Sequence, residues 1–118
     1  MGASIKPNLS WLKNVNRTIL LNLNNNNFLV SDLAKSAFMS ERQFYREVKK
    51  ATGLTPNQYI QWVKMEKARE WIMAGKYGSL KKLSQALGYT RTDYFVKIYL
   101  RHFGEPPDLA KGDQAFDT

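Results

Sequence analysis

The chain has 118 residues, 43% of them hydrophobic and 13% aromatic, enough to bury a core and too apolar for wholesale disorder. The length suits one domain, or two very small ones sharing a core, and the lack of cysteine excludes a disulfide framework and any thiolate metal site while favouring a reducing compartment. Of the 18 Lys/Arg, 17 lie in residues 1–104 with only 6 of the 10 Asp/Glu, leaving that stretch at +11 and the last fourteen residues at −3; such a field points to a polyanionic partner.

The start, MGASIKPNLS, has no apolar run of the signal-peptide kind, and ILLNL (Ile19 to Leu23) is too short to cross a bilayer. The expected location is the cytoplasm, with no membrane partner. Leu12, Val15, Ile19 and Leu23 recur at helical spacing and predict a first helix from about Leu9 to Asn24, ended by the run Asn24 to Asn27. A short helix follows over Val30 to Ala37, with Leu33, Ala34 and Ala37 inward. Ser40, with Gln43 three positions on, reads as a capping box opening a third helix that Gly53 stops. Phe44, Val48 and Ala51 form its expected inner face.

Thr55-Pro56-Asn57-Gln58 opens a fourth helix that runs to about Met73 or Ala74, with Gly75 as its stop. Its apolar residues point several ways round the axis, the pattern of a helix buried between neighbours. Ser79 caps a fifth helix ended by Gly88. Thr90-Arg91-Thr92-Asp93 opens a sixth that ends at Gly104, and Pro106-Pro107 begins one more turn through Leu109 and Ala110. The reading is all-α, with about seven helices and no sheet.

The chain repeats itself. SERQFYREVKKATGLTP (Ser40 to Pro56) and RTDYFVKIYLRHFGEPP (Arg91 to Pro107) align at an offset of 51, which also pairs Phe38 with Tyr89, Phe44 with Phe95, Arg46 with Lys97 and Gly53 with Gly104, and moving the preceding helix by one residue puts Leu33 over Leu83. Each copy is a short helix, a tight turn and a longer basic helix: a helix-turn-helix, present twice. The expected organisation is 1–27 as N-terminal helix and Asn-rich loop, 28–55 as first helix-turn-helix and 56–75 as linker helix. The second helix-turn-helix takes 79–104, and 105–118 is a terminal turn and acidic tail. A linker of ~18 residues is ~27 Å long at ~1.5 Å per residue, which sets two basic helices near the ~34 Å between successive major grooves on one side of a duplex.

Over about Phe28 to Pro107 the chain resembles the DNA-binding domain of AraC/XylS-type bacterial transcription regulators. The resemblance is carried by DLAKSAFMSERQFYREVKKATGLTPNQYI, KMEKAREWI and LSQALGYTRTDYFVKIYLRHFGEPP. Val48 stands where the family usually has phenylalanine, Leu100 where it has lysine, Pro106 where it has serine or threonine, and Ala110 where it has tyrosine. The resemblance implies a sequence-specific regulator of transcription, an activator touching RNA polymerase. The front end, SWLKNVNRTILLNLNNNNFLVSDLA, is similar to versions of this module fused behind receiver or hybrid sensor proteins of two-component systems, which implies a regulatory or sensor domain in a longer parent chain.

In the first copy Arg42 and Arg46, with Glu41 and Tyr45 beside them, are the expected base readers, since arginine offers paired donors to guanine. Lys49, Lys50 and Ser40 suit phosphates, which fix register without reading sequence. Glu41 serves equally as favourable charge at a helix start. In the second copy Thr92 and Val96 suit thymine methyls, Asp93 suits cytosine and Lys97 guanine or phosphate, while Arg91, Arg101, Lys81 and Lys82 suit phosphates. Asp93 is also the third position of a capping box. Trp11, Trp62 and Trp71 are expected in packing, and His102 as a satisfied residue at a helix end. With one histidine, no phosphate-cradling loop and no paired carboxylates in an apolar setting, the sequence points away from an enzyme and implies no cofactor or metal. The alternative is a basic helical module for RNA or an anionic surface.

Overall fold

The computed structural model describes residues 9–25 and 27–110. Among them six helices follow one another without a strand: α1 (Ser10–Leu21), α2 (Val30–Ser36), α3 (Glu41–Thr52), α4 (Pro56–Met73), α5 (Leu80–Ala86) and α6 (Thr92–Phe103). Of the further turn expected from Pro106-Pro107 through Leu109 and Ala110, Pro106–Asp108 carry no regular structure and the chain turns only at Leu109 and Ala110; the tail 111–118 lies outside the described residues.

Helix α4 is the strut. It packs against α1, α3 and α6, while α2 joins α1 to α3 and α5 lies against α6. Val63 and Met65 are both buried, although two residues along a helix point about 200° apart at 3.6 residues per turn. Tyr59, Ala68 and Ile72 are buried as well, so neighbours cover α4 on opposing sides, as its sequence pattern predicts. Its start is fixed by a complete capping box. The Gln58 N–H donates to the Thr55 hydroxyl at 3.2 Å, and the Gln58 side-chain oxygen accepts the Thr55 N–H at 3.0 Å.

Polar contacts fasten the other helices to this strut. The Tyr59 hydroxyl donates to the Asn16 side chain on α1, and His102 near the end of α6 lies 3.2 Å from the Glu66 carboxylate on α4. The expectation that His102 is a satisfied helix-end residue holds, with its partner supplied by α4. Arg69 stacks its guanidinium 5.0 Å over the Phe103 ring beside that pair.

Several local expectations change. Helix α1 stops at Leu21, short of Asn24, because Asn22 turns its amide back onto the Thr18 carbonyl at 2.8 Å and competes with the helix ladder. Ala51 is exposed; the last turn of α3 is finished by Thr52, whose hydroxyl donates to the Val48 carbonyl at 2.7 Å and accepts the Leu54 N–H at 3.0 Å. Only the outward half of the Ser40 box forms, from the Gln43 N–H at 3.1 Å. Trp11 packs edge-on against Phe44 and Trp71 against Tyr77, but Trp62 is 42% exposed, lying flat on Tyr59.

The two turns correspond more closely than a uniform offset allows. Met39 N–H reaches the Ala34 carbonyl and Tyr89 N–H the Ser84 carbonyl, both at 2.9 Å, so the turns align Phe38 with Gly88 and not with Tyr89. The offset returns to 51 at the helices, where Glu41–Thr52 matches Thr92–Phe103, and Thr90 is the extra residue. Gly88 has φ +87°, and a Cβ there would sit 2.2 Å from the Leu23 carbonyl oxygen. That contact presses the loop after α1 onto the second helix-turn-helix.

Gly88→Ala should therefore cost more than Gly53→Ala. Both residues are left-handed, but a Cβ on Gly53 meets nothing within 4 Å. Urea unfolding should show about 1 kcal/mol lost at Gly53 and at least about 2–3 kcal/mol at Gly88; equal losses would mean the Leu23 contact yields freely.

Candidate nucleic-acid interface

Helix α3 divides its residues by side. Phe44 and Val48 are buried against the core. Glu41, Arg42, Tyr45, Arg46, Lys49 and Lys50 are all exposed, so every residue expected to read bases or hold phosphates in the first copy is available. Ser40 is exposed too. Its oxygen accepts the Gln43 N–H, and its own hydroxyl hydrogen remains free to donate outward. The Gly53 stop, at φ +78°, and the identical φ of Gly104 close α3 and α6 in the same way.

Helix α6 keeps the arrangement with fewer donors. Phe95, Ile98 and Tyr99 are buried, while Asp93, Lys97 and Arg101 are exposed, as are Lys81 and Lys82 on α5. Thr92 and Val96 are half-buried. The Thr92 hydroxyl lies 3.3 Å from that of Ser84, which is fully buried and itself donates to the Lys81 carbonyl at 3.0 Å. Val96 packs against the core cluster. These two residues therefore lean on the protein, leaving Asp93 and Lys97 as the outward members of the second set.

The capping box expected at Thr90 and Asp93 gives way to an ion pair. Arg91 takes the N-cap position, and its guanidinium donates through Nε to Asp93 Oδ1 at 3.2 Å and through Nη2 to Oδ2 at 2.7 Å. These hydrogen bonds hold the Asp93 carboxyl below its ordinary range and push the Arg91 guanidinium up. Both groups are exposed, so the pair adds little to stability. Its consequence is that Arg91 and Asp93 act on a ligand together or exchange partners first.

Two features escaped the sequence reading. Tyr94 is 47% exposed and, with Gly88, Tyr89, Thr90 and Arg91, lines an open groove of about 440 Å³ at the start of α6. Burial, with the nearby Tyr94 adding to it, pushes the Tyr89 hydroxyl up to about 12, and Lys64 of α4 rests 5.1 Å over the Tyr89 ring. Burial in turn lowers Lys64. The second feature is Phe38 in the first turn, 96% exposed. Exposure of a single aromatic leaves no trace in hydrophobic periodicity, so neither was legible.

A profile of the helix-turn-helix domain matches residues 33–110. The chain belongs to the AraC/XylS-type helix-turn-helix family. Among its relatives, the HTH-type transcriptional activator RhaS of Escherichia coli (strain SE11) is 27% identical over 85 residues, 71% of this chain and 30% of RhaS. The histidine kinase P4 of Formosa agariphila is 25% identical over 96 residues, 81% of this chain and 7% of that protein. This AraC/XylS-type chain thus spans less than a third of the length of either relative. The crystal structure of the DNA-binding domain of AdpA, in complex with a target DNA, superposes with a TM-score of 0.72 at 24% identity, covering 90% of this chain and 94% of that one. No helix among the described residues is long and apolar enough to cross a membrane, and no group of metal-binding side chains occurs among them.

The Arg91–Asp93 pair makes a direct forecast. An NMR titration should place the Asp93 carboxyl below the ordinary aspartate value of about 3.9, and Arg91→Ala should return it toward that value. The sign follows from a folded-state pKa lower than the unfolded one: the pair is intact above the unfolded value and is lost as pH falls through the folded one. An unshifted Asp93 in the unaltered chain would contradict the pairing.

Proposed function

We infer that the chain binds double-stranded DNA sequence-specifically as a transcription regulator, laying α3 and α6 into successive major grooves. The observation that carries this is the duplication itself: two helices with outward cationic faces, each stopped by a glycine at φ +78°, packed on one shared strut. The described residues extend 50 Å along their longest axis, enough for the ~34 Å between adjacent major grooves on one side of a duplex. Family membership supports the same reading.

In this reading Arg42 and Arg46 read base edges, with Glu41 and Tyr45 flanking them, and Lys49, Lys50 and Ser40 hold phosphates. The second helix contributes Lys97 and Asp93 to the groove, with Thr92 and Val96 offering only their half-exposed edges to thymine methyls. Arg91, Arg101, Lys81 and Lys82 hold the backbone. The first copy reads most of the sequence and the second mainly adds affinity. A regulatory or sensor domain in a longer parent chain, contact with RNA polymerase, and action as an activator belong to the same proposal. They are supported by the small share of its relatives that the chain spans and by the activator and histidine kinase among them.

The test is a pair of substitutions on duplexes selected from a random pool. Arg46→Ala should relax preference at one base pair by about 1–3 kcal/mol. Lys50→Ala should weaken all duplexes alike and flatten the plot of log K against log salt by about one unit. Matching base preferences and matching salt slopes in the two variants would overturn this division between reading and holding.

A further inference from the structure

Phe38 is the only non-glycine residue with positive φ among the described residues, at +58°. A bulky side chain in the left-handed region is strained, because its Cβ crowds the neighbouring backbone. Such strain persists where something outside the local turn selects for it. Burial is not the reason here, since Phe38 is 96% exposed.

The second copy shows what the turn itself requires. Its equivalent position is Gly88, where the backbone bonds are the same: Phe38 N–H to the Lys35 carbonyl and Gly88 N–H to the Gln85 carbonyl, each at 3.0 Å. At Gly88 the Leu23 carbonyl blocks any side chain. At position 38 the way outward is open, a glycine would satisfy the turn without strain, and the chain instead carries there the most exposed large hydrophobic among the described residues.

Position narrows the role. Phe38 lies two residues before Ser40, the cap of α3. In helix-turn-helix docking it is the N-terminal residues of the second helix that meet base edges. The residues next to it, Ser40, Glu41 and Arg42, are exposed, and Arg42 and Arg46 supply outward positive charge in the first half of α3, the half nearer Phe38.

We propose that Phe38 is a DNA-contacting residue: its ring closes over the edge of the duplex beside the bases read by α3, as an apolar contact to a thymine methyl or to deoxyribose. Phenylalanine is suited to the thymine methyl in the major groove, and removing an exposed ring from water supplies affinity that a glycine lacks. The proposal rests on the DNA-binding reading above and adds to it a position chosen against the turn's own preference.

Strain makes the test separable from misfolding. Phe38→Gly relieves the left-handed backbone, so its melting temperature should rise by about 2–5 °C. Its Kd for a duplex selected by the unaltered chain should meanwhile weaken by about fivefold or more. Phe38→Asn, which also tolerates this backbone, should behave alike. Replacing single thymines by deoxyuridine in that duplex, one position at a time, distinguishes the two contacts. Loss at one flanking position in the unaltered chain but not in Phe38→Gly identifies the methyl; no such position identifies the sugar. Phe38→Gly that is more stable and binds as tightly as before overturns the proposal while leaving the DNA-binding reading standing. An unaltered chain that selects no duplex overturns both.

Discussion

Burial of α4 on opposing sides is the constraint on which the rest depends. With Val63 and Tyr59 toward one set of neighbours and Met65 toward another, the helix packs against the longer helix of each helix-turn-helix unit. An interior side chain in close packing resists small displacements, so α3 and α6 are held at a separation fixed by the strut and not by a flexible tether. The Tyr59–Asn16 and Glu66–His102 contacts then pin α1 and α6 to the same helix. Two basic helices held this way are pre-ordered with respect to each other in the free protein, which lowers the cost of docking both at once.

The copies are alike in architecture and unlike in chemistry. The first offers two outward arginines and two lysines on α3. The second ties Arg91 to Asp93, leans Thr92 on buried Ser84 and sets Leu100 in solvent. The turns differ in the same sense: the first is open to solvent at Phe38, while the second is sealed by the loop after α1 at Gly88. The first turn is open and the second is braced from within. Helix α1 and Leu23 in the loop after it lie outside the residues matched by the family profile, yet Trp11 of α1 packs on Phe44 of the first copy and Leu23 abuts Gly88 of the second.

Much of this was legible from residue order. Apolar spacing together with cap and stop residues placed all six helices, because five bury one side at the helix's own period and α4 buries opposing sides. Ser79, Thr55 and Gly53 marked ends correctly because capping is local chemistry. The outward set on α3 followed from the same wheel. What could not be read depended on particular side-chain contacts, some local and some between distant segments, that residue periodicity does not report. Whether Thr92 faces solvent or Ser84 is decided by where α5 lies, and whether Arg91 is free is decided by a side chain two residues away. Ala51 fell on the inner side of the wheel, yet Thr52 closes the end of α3. The one-residue shift of the preceding helix was readable from Leu33 and Leu83, but pairing Phe38 with Tyr89 put it before the turn, whereas the extra residue is Thr90, after it.

The central claim is geometric: a single rigid strut presents α3 and α6 to adjacent major grooves on one side of one duplex. Hydroxyl-radical footprinting of the chain on a selected duplex tests it most directly. Two protected blocks on the same face, centred about ten base pairs apart, are the expected result. One continuous block of a single helix-turn-helix, or two blocks displaced by half a helical turn onto opposite faces, would contradict it.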